Sequence, residues 1–313
     1  MKDKIKLLVV GSGAIGSFYG GKLARTGLSV SLLCRSDYEV VKRDGVSVRS
    51  YQGDFHFSPA QVISSAAEYK EKADYVLVCL KVLPKVDLVG IIRDAVHPET
   101  AIVLIQNGIE IEPDVKKAFP QNEIISAIAF ICVNRLEFGL VDHLDYGRME
   151  MGLYPDGTSQ KTERLAGFFK EAGVPCRLSE KIIGNRWQKL LWNVPFNSLS
   201  VIGGLIDTKK IMDSPEAVAL VRKIMAELIL LAGKTGYFLD EDLIERMIAD
   251  TKKMEPYKTS MLLDYEAKRE IEVEAILGNV IKIAKKQQLS LPYIESLYGC
   301  LKLLDDQNRS EGL

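Results

Sequence analysis

The sequence predicts an α/β fold, with a doubly wound, mostly parallel sheet followed by an all-helical C-terminal domain. Up to about residue 153, short apolar runs alternate with longer amphipathic stretches, which is the order of β-α-β units. After about residue 178 no further strand-like run follows, and long stretches with helical spacing of apolar residues take over. We therefore assign residues 1–180 to the sheet domain and residues 181–313 to the helical domain.

Each predicted strand is a short apolar run without polar alternation, as expected of strands that are covered on both faces. The runs are residues 5–10, 30–34, 75–80, 101–105 and 124–131. The first of them is shorter than the apolar region of a typical signal peptide. Short mixed segments between about residues 138 and 153 indicate antiparallel strands at one edge of the sheet. In the second domain, residues 217–234 and 271–286 have helical spacing.

The composition limits the class of protein. A chain of 313 residues, 47% hydrophobic and 27% charged, exceeds the usual size of one domain and is typical of globular proteins. Lys and Arg total 41 against 42 Asp and Glu, so no basic excess predicts a nucleic-acid or membrane partner. The five cysteines form no C-x-x-C pair, which argues against disulfides or a zinc site and predicts a cytoplasmic location.

A glycine-rich segment follows the first predicted strand and opens a helical pattern. It reads Gly11-Ser12-Gly13-Ala14-Ile15-Gly16. Gly11 allows a tight turn, Gly13 allows the backbone to approach a pyrophosphate, and Gly16 allows close packing of helix on strand. The helix N-terminus adds unpaired N–H donors and positive potential. The segment predicts a Rossmann-like dinucleotide-binding domain in which these six residues contact the cofactor.

The end of the second predicted strand indicates which dinucleotide binds. NAD-binding domains place an acidic residue there for the ribose 2′-hydroxyl, whereas this chain has Cys34 followed by Arg35. A guanidinium binds a 2′-phosphate through charge-assisted hydrogen bonds, so Arg35 favours NADPH over NADH. The alternative is that Arg35 is a solvated loop residue and that Asp37 binds the ribose.

Polar residues also follow the next two strands, namely Lys81 and the segment Gln106-Asn107-Gly108. Ligands of parallel sheets bind outside the carboxyl ends of the strands. We therefore predict that Lys81 and Asn107 contact both the cofactor and the substrate. The alternatives are a solvated lysine and an ordinary Asn-Gly turn.

In the helical domain, Lys189, Asn193 and Asn197 recur every four residues among large apolar residues. On a helix they form one stripe, which an apolar environment would turn toward a cleft. Desolvation disfavours the charged form of a lysine, so Lys189 is a candidate proton donor. A solvent-exposed polar stripe is the alternative, and Pro195 predicts a bend if the helix continues.

Taken in order, these motifs resemble the 2-dehydropantoate 2-reductase (ketopantoate reductase) family over nearly the whole chain. The resemblance includes Ser260-Met261-Leu262-Leu263-Asp264, which leads to Ile271-Glu272-Val273-Glu274. It implies NADPH-dependent reduction of 2-dehydropantoate to pantoate, a step of pantothenate and coenzyme A biosynthesis. A small 2-keto acid is therefore the implied partner, and the apolar helices after Ala217 suggest a homodimer through the helical domain.

The resemblance also implies roles for individual residues. Lys189 is the implied acid at the ketone oxygen, Glu272 hydrogen-bonds within the site, and the remaining implied residues contact substrate, namely Asn193, Asn197 and Ser260. On one unbroken helix, Ser260 and Glu272 would lie about 120° apart. The chain therefore breaks between residues 265 and 270, or the two side chains enter the site from different sides. The alternatives are a helix cap at Ser260 and an ion pair of Glu272 with Lys268.

The chain departs from the family pattern in loops, at Glu110, at residues 82–84 and at residues 137–140. The exact keto acid therefore stays open. A related 2-keto acid reductase or a 3-hydroxy acid dehydrogenase is the alternative among enzymes. A non-catalytic NADPH-binding redox sensor is the alternative from another class.

Overall fold

The computed structural model describes residues 5–310, which form two compact units. The sheet unit comprises the described chain up to Lys81, together with Val86–Gln106 and Ile111–Ile182. The helical unit comprises Val82–Lys85, Asn107–Glu110 and the described chain from Ile183 onward. The single domain boundary after residue 180 stays a prediction. Such a boundary leaves out the two short loops before residue 180 that group with the helical unit.

The described part of the sheet unit holds one ten-stranded sheet. Its strands are β1 Lys6–Val10, β2 Ser29–Leu33, β3 Val46–Ser50, β4 Phe55–Phe57, β5 Val62–Ile63, β6 Tyr75–Val78, β7 Ala101–Ile105, β8 Ile124–Glu137, β9 Leu140–Leu153 and β10 Cys176–Leu178. The order is β4-β3-β9-β8-β7-β6-β1-β2-β5, with β10 pairing on β9. All neighbours are parallel except β8 with β9 and β3 with β4. The predicted doubly wound, mostly parallel sheet is confirmed.

Two details of the predicted sheet are wrong. The strands β8 and β9 are antiparallel as predicted, but each has 14 residues, and β9 is not at an edge because β3 pairs in parallel on its other side. The strand β3 alternates buried and partly exposed residues, whereas β4, β5 and β10 have only two or three residues. The strands were predicted from long apolar runs, and none of these four strands contains such a run, so the sequence analysis missed them.

The helices of the sheet unit are α1 Ala14–Ala24, α2 Tyr38–Asp44, α3 Leu88–Ile92, α4 Pro113–Ala118 and α5 Gln160–Glu171. The first of them packs closely on the sheet because of its glycines. A Cβ atom at Gly16 would lie 2.0 Å from the Gly11 carbonyl oxygen, and one at Gly20 would lie 3.3 Å from Val9. Phe18 and Phe169 of α1 and α5 are buried in the core that this packing forms. The glycine loop is therefore held at the carboxyl end of β1.

The helical unit is built from helices of mixed length. They are α6 Ile182–Ile202, α7 Thr208–Asp213, α8 Pro215–Lys234, α9 Asp242–Lys253, α10 Ser260–Glu266, α11 Asn279–Lys286 and α12 Pro292–Ser310. The helix α6 continues through Pro195, and α8 contains the predicted helix over residues 217–234. No helix within residues 5–310 combines the length and the apolarity needed to cross a membrane.

The segment after α10 confirms one predicted helical stretch and answers one question. The stretch predicted over residues 271–286 is helical from Val273 onward, and a π-helical turn at Glu274–Gly278 runs directly into α11. The backbone N–H of Ile271 instead donates to the carboxylate of Asp305, at 3.1 Å. Since α10 ends at Glu266 and Lys268 has a φ of 55°, the chain breaks between Ser260 and Glu272, as one of the two predictions required.

Candidate functional site

The glycine loop of the sheet unit lies where the direction of strand succession reverses. The strands β2 and β6 flank β1 on opposite sides, and ligands of doubly wound sheets bind at such a point. The N–H of Gly11 donates to the Leu33 carbonyl at 3.1 Å, and a Cβ atom at Gly11 would lie 2.8 Å from the Leu80 side chain. With a φ of 101°, Gly11 brings the ends of β1, β2 and β6 together.

The start of α1 fits a pyrophosphate. The helix begins at Ala14, and its N-cap Gly13 provides no side-chain hydrogen bond to the first amides. A Cβ atom at Gly13 would meet no atom within 4 Å, so the backbone is open to close approach. Free amides at a positive helix end attract anions. A dinucleotide therefore fits the residues that the sequence assigned to it.

Arg35 and Asp37 differ in exposure at the end of β2. Arg35 has an exposed side chain two residues beyond the strand, whereas Asp37 is only 2% exposed. The guanidinium of Arg35 is therefore accessible to a phosphate from solvent, whereas one carboxylate oxygen of Asp37 is buried without a hydrogen-bond partner. The role of Arg35 in cofactor preference stays a prediction.

The ends of β6 and β7 are tied together beside the glycine loop. The side-chain amide of Gln106 donates to the Leu80 carbonyl at 2.6 Å. Lys81 follows Leu80 directly and is partly buried. Lys81 therefore follows β6 at the same edge of the sheet as the glycine loop.

In the helical unit, the structure joins two residues that the sequence singled out separately. The ammonium group of Lys189 on α6 donates a hydrogen bond to the Asn107 side-chain oxygen at 2.8 Å. Asn107 comes from the short loop Asn107–Glu110, which is 82 positions away in sequence. The Lys189–Asn107 pair is the centre of the candidate site.

The surroundings of Lys189 lower the pKa of its amino group toward neutral pH. The pKa of Lys189 is lowered from its ordinary 10.5 to about 7. Burial of the amino group is the largest cause, the positive charge of Arg186 also lowers the pKa, and the Glu272 carboxylate acts to raise it. Both protonation states are therefore accessible near neutral pH, as a general acid requires.

The predicted asparagine stripe faces the interior of the helical unit. Asn193 lies one turn beyond Lys189 and lines a small recess together with Gly108, Arg186 and Leu190. Asn197 is 1% exposed, and its side-chain oxygen has no hydrogen-bond partner. A buried acceptor without a partner costs free energy, which is typical of a site that a ligand completes. A solvent-exposed stripe is therefore wrong for Asn193 and Asn197.

Glu272 and Ser260 have different environments. The Glu272 carboxylate accepts a hydrogen bond from the Val82 backbone N–H at 2.9 Å, and it also acts on the charge of Lys189. Ser260 is the first residue of α10 and is exposed. A cap at Ser260 is wrong, because the side chain of Thr259 accepts the capping hydrogen bond from Leu262. Proximity of Ser260 to Lys189 stays a prediction.

The loop that carries Asn107 is clamped onto the π-helical turn. The N–H of Ile109 donates to the Ala275 carbonyl at 3.3 Å, and the Asn279 side chain donates to the Ile109 carbonyl at 2.8 Å. Gly108 has a φ of 99°, and a Cβ atom there would lie 2.5 Å from the Ala275 oxygen. Glu110, at a position where the family often has glycine, has a φ of 58°. π-Helical turns are often found at functional sites.

Replacing Gly108 with alanine is expected to lower kcat on the order of 10²-fold, because the methyl group would push the loop and Asn107 away from Lys189. Steady-state kinetics of the folded variant would measure the loss. Gly53→Ala is the matched control, since Gly53 has a φ of 109° and no atom within 4 Å of its Cβ position. Equal kcat losses in both variants would show that backbone strain, and not the Ala275 contact, explains the effect.

Sequence reasoning missed Arg186. It lies three residues before Lys189 on α6, is 2% exposed, and donates from its guanidinium to the Gly108 carbonyl at 3.2 Å. Its spacing was a usable signal, because residues three and four apart lie on the same face of a helix. The stripe on α6 therefore begins one turn earlier than predicted.

Comparisons with known proteins agree with this architecture. Models of the ketopantoate reductase PanE/ApbA family match residues 7–156, and models of the C-terminal part of that family match residues 181–305. A 2-dehydropantoate 2-reductase of a Nostoc species is 36% identical over 97% of both chains. The crystal structure of 2-dehydropantoate 2-reductase from Methylococcus capsulatus is 48% identical, with a TM-score of 0.92 over 97% of this chain and 98% of that one. The corresponding Geobacter metallireducens structure is 33% identical, with a TM-score of 0.90 over 96% and 99%. This chain belongs to the ketopantoate reductase family.

Proposed function

We propose that this chain catalyses the NADPH-dependent reduction of 2-dehydropantoate to pantoate. The observation that carries the proposal is the hydrogen bond from Lys189 to Asn107, on a lysine whose pKa is lowered to about 7, mainly by burial. Ketone reduction needs a proton donor that works near neutral pH. Two relatives that bear the name of this enzyme, at 36% and 48% identity, support the choice of substrate.

The sheet unit would hold the cofactor. The amides at the start of α1 and the open backbone at Gly13 would bind its pyrophosphate, and Arg35 would bind the 2′-phosphate. Lys81 and Asn107 are proposed as further contacts. NADPH, when bound, supplies the hydride that adds to the C2 carbonyl carbon.

Lys189 would complete the reduction by transferring a proton to the carbonyl oxygen. Its N–H bond breaks as the O–H bond of the product alcohol forms, so no free alkoxide accumulates. The neutral amine then takes a proton from solvent. The hydrogen bond to Asn107 orients the amino group, and burial together with the charges of Arg186 and Glu272 determines its proton affinity.

The remaining residues would recognise the keto acid. Asn193 and Asn197 lie one and two turns beyond Lys189 on α6, and both are buried. The Asn197 side-chain oxygen, which lacks a hydrogen-bond partner, can accept from a substrate hydroxyl group. Ser260 is proposed as a further contact to the substrate.

A panel of 2-keto acids, assayed by the loss of NADPH absorbance, tests the proposed function. We expect the highest kcat/KM for 2-dehydropantoate. Preference for another 2-keto acid would indicate a related reductase, and turnover of a 3-hydroxy acid with NAD would indicate the dehydrogenase. Tight NADPH binding without turnover of any keto acid would instead indicate the redox sensor.

Ser260→Ala is expected to raise the KM for the keto acid roughly 10- to 100-fold while leaving NADPH affinity unchanged, because the loss of one hydrogen bond to a charged group costs roughly 1.5–3 kcal/mol. Kinetics and fluorescence titration of the cofactor would measure both quantities. Thr259→Ala is a matched control, since it removes the neighbouring hydroxyl that caps α10. Loss of cofactor affinity in Ser260→Ala with unchanged keto acid kinetics would contradict the assignment.

A homodimer through the helical unit remains a prediction, as does the cytoplasmic location. Leu230 on α8 is 50% exposed and Leu303 on α12 is 75% exposed, and these two helices pack on each other. Exposed apolar side chains on neighbouring helices are compatible with an interface between two copies of the chain.

A further inference from the structure

Arg186 is a buried cation beside another potential cation. Arg186 is 2% exposed, and it lies three positions before Lys189 on the same face of α6. Burying a charge costs free energy, and placing a guanidinium near the protonated amino group of a lysine adds repulsion. A purely structural role could be filled by an uncharged side chain at a lower free-energy cost. The position of Arg186 therefore requires an explanation in terms of the site.

The contact of Arg186 with Gly108 supplies that explanation. The guanidinium donates to the Gly108 carbonyl at 3.2 Å, and Gly108 directly follows Asn107. The hydrogen bonds of Ile109 and Asn279 fix the other side of this loop to the π-helical turn and α11. Arg186 thus ties the backbone of the loop to α6, the same helix whose Lys189 bonds to the Asn107 side chain.

We propose that Arg186 is a positioning residue for the reduction, which holds the Gly108 turn so that Asn107 meets the amino group of Lys189. The proposal rests on the proposed function. Arg186 acts through Asn107 and Lys189 and need not touch the substrate. A lysine at position 186 would retain the charge, but it lacks the planar fork that fits a fixed carbonyl.

The charge of Arg186 has a second effect on the same pair. The charged groups that act on Lys189 are Arg186 from its own helix and Glu272 from the segment before the π-helical turn, and they change the pKa of Lys189 in opposite directions. Removing the positive charge should therefore stabilise the ammonium form of Lys189. The activity of a general acid would then persist to higher pH.

Three variants separate the positioning of the loop from the effect of the charge. Arg186→Met removes both the hydrogen bond to Gly108 and the positive charge, whereas Arg186→Lys removes the planar guanidinium but keeps the charge. Asn279→Ala loosens the loop without changing a charge. For each folded variant, kcat is measured with 2-dehydropantoate and NADPH from pH 5 to pH 10. We expect all three to lower kcat, and only Arg186→Met to move the alkaline limb of the pH profile upward, by about 1 pH unit.

A second measurement does not depend on turnover. Competitive acetylation of amines over a pH series, followed by mass spectrometry of the peptide that contains Lys189, reports the pKa of this lysine in the free protein. Arg186→Met should raise the labelling midpoint, whereas Arg186→Lys and Asn279→Ala should leave it in place. If the wild-type protein reduces no keto acid, the proposed function fails, and the labelling still tests the effect of the Arg186 charge on Lys189.

Several results would overturn the inference. Wild-type kcat in Arg186→Met would show that Arg186 does not position the pair, and an unchanged labelling midpoint and pH profile would show that its charge does not act on Lys189. Wild-type kcat in Arg186→Lys would show that the hydrogen bond to Gly108 does not position the pair. Because Arg186→Lys retains a cation and most of the side-chain volume, this arm remains informative even if Arg186→Met does not fold.

Discussion

Lys189→Ala is expected to lower kcat by roughly 10²–10⁴-fold, the usual contribution of a placed general acid. Hydride addition to a ketone generates an alkoxide unless a proton arrives with it, and Lys189 is the donor that the site provides. The affinity for NADPH should barely change, because its phosphates are assigned to the sheet unit. Steady-state kinetics and a cofactor titration of the same preparation would measure both quantities.

The pH dependence of the wild-type protein belongs to the same prediction. Reduction requires protonated Lys189, and its pKa is lowered to about 7, so kcat should fall as the pH rises through this value. In the unfolded chain the lysine pKa is about 10.4, so the folded state binds fewer protons between pH 7 and 10. The desolvation of Lys189 therefore costs stability at neutral pH.

Lys189→Arg distinguishes acid catalysis from simple binding of the substrate carboxylate. A guanidinium stays protonated and is a poor proton donor, so the arginine variant should remain far below the wild-type rate. If Lys189 only binds the carboxylate, arginine should restore activity and alanine should mainly raise KM. A pure KM effect that arginine rescues would remove Lys189 from the proton transfer.

Arg35→Asp is expected to weaken NADPH binding about 100-fold and to shift the preference toward NADH. Charge-assisted hydrogen bonds contribute roughly 1.5–3 kcal/mol each, and a carboxylate would repel the 2′-phosphate while accepting from a free 2′-hydroxyl. Because Arg35 is exposed, salt should screen part of the effect. Fluorescence titrations of both cofactors at low and at physiological ionic strength would measure it.

Gly13→Ala provides the control for the Arg35 prediction. The new methyl group would meet no protein atom within 4 Å, so the fold should be retained, but the group would project where the pyrophosphate is expected to bind. Both cofactors should therefore be weakened by a similar factor. Equal affinities of the wild-type protein for NADPH and NADH would contradict the role of Arg35.

The sequence alone determined the features that depend on neighbouring residues. Five apolar runs marked the strands β1, β2, β6, β7 and β8, and the glycine spacing located the turn between β1 and α1. The four-residue spacing on α6 identified Lys189, Asn193 and Asn197 as one stripe. These signals are local, because the periodicity of a strand or a helix and the conformational freedom of glycine act within a few positions.

Only the tertiary structure decided which distant segments meet. It placed β3 beside β9, it brought Asn107 to Lys189 across 82 positions, and it revealed the contact of Arg186 with Gly108. It also determined the lowered pKa of Lys189, since desolvation depends on everything that packs around the amino group. No local pattern encodes such contacts, because they depend on how elements that are far apart in the sequence pack in three dimensions.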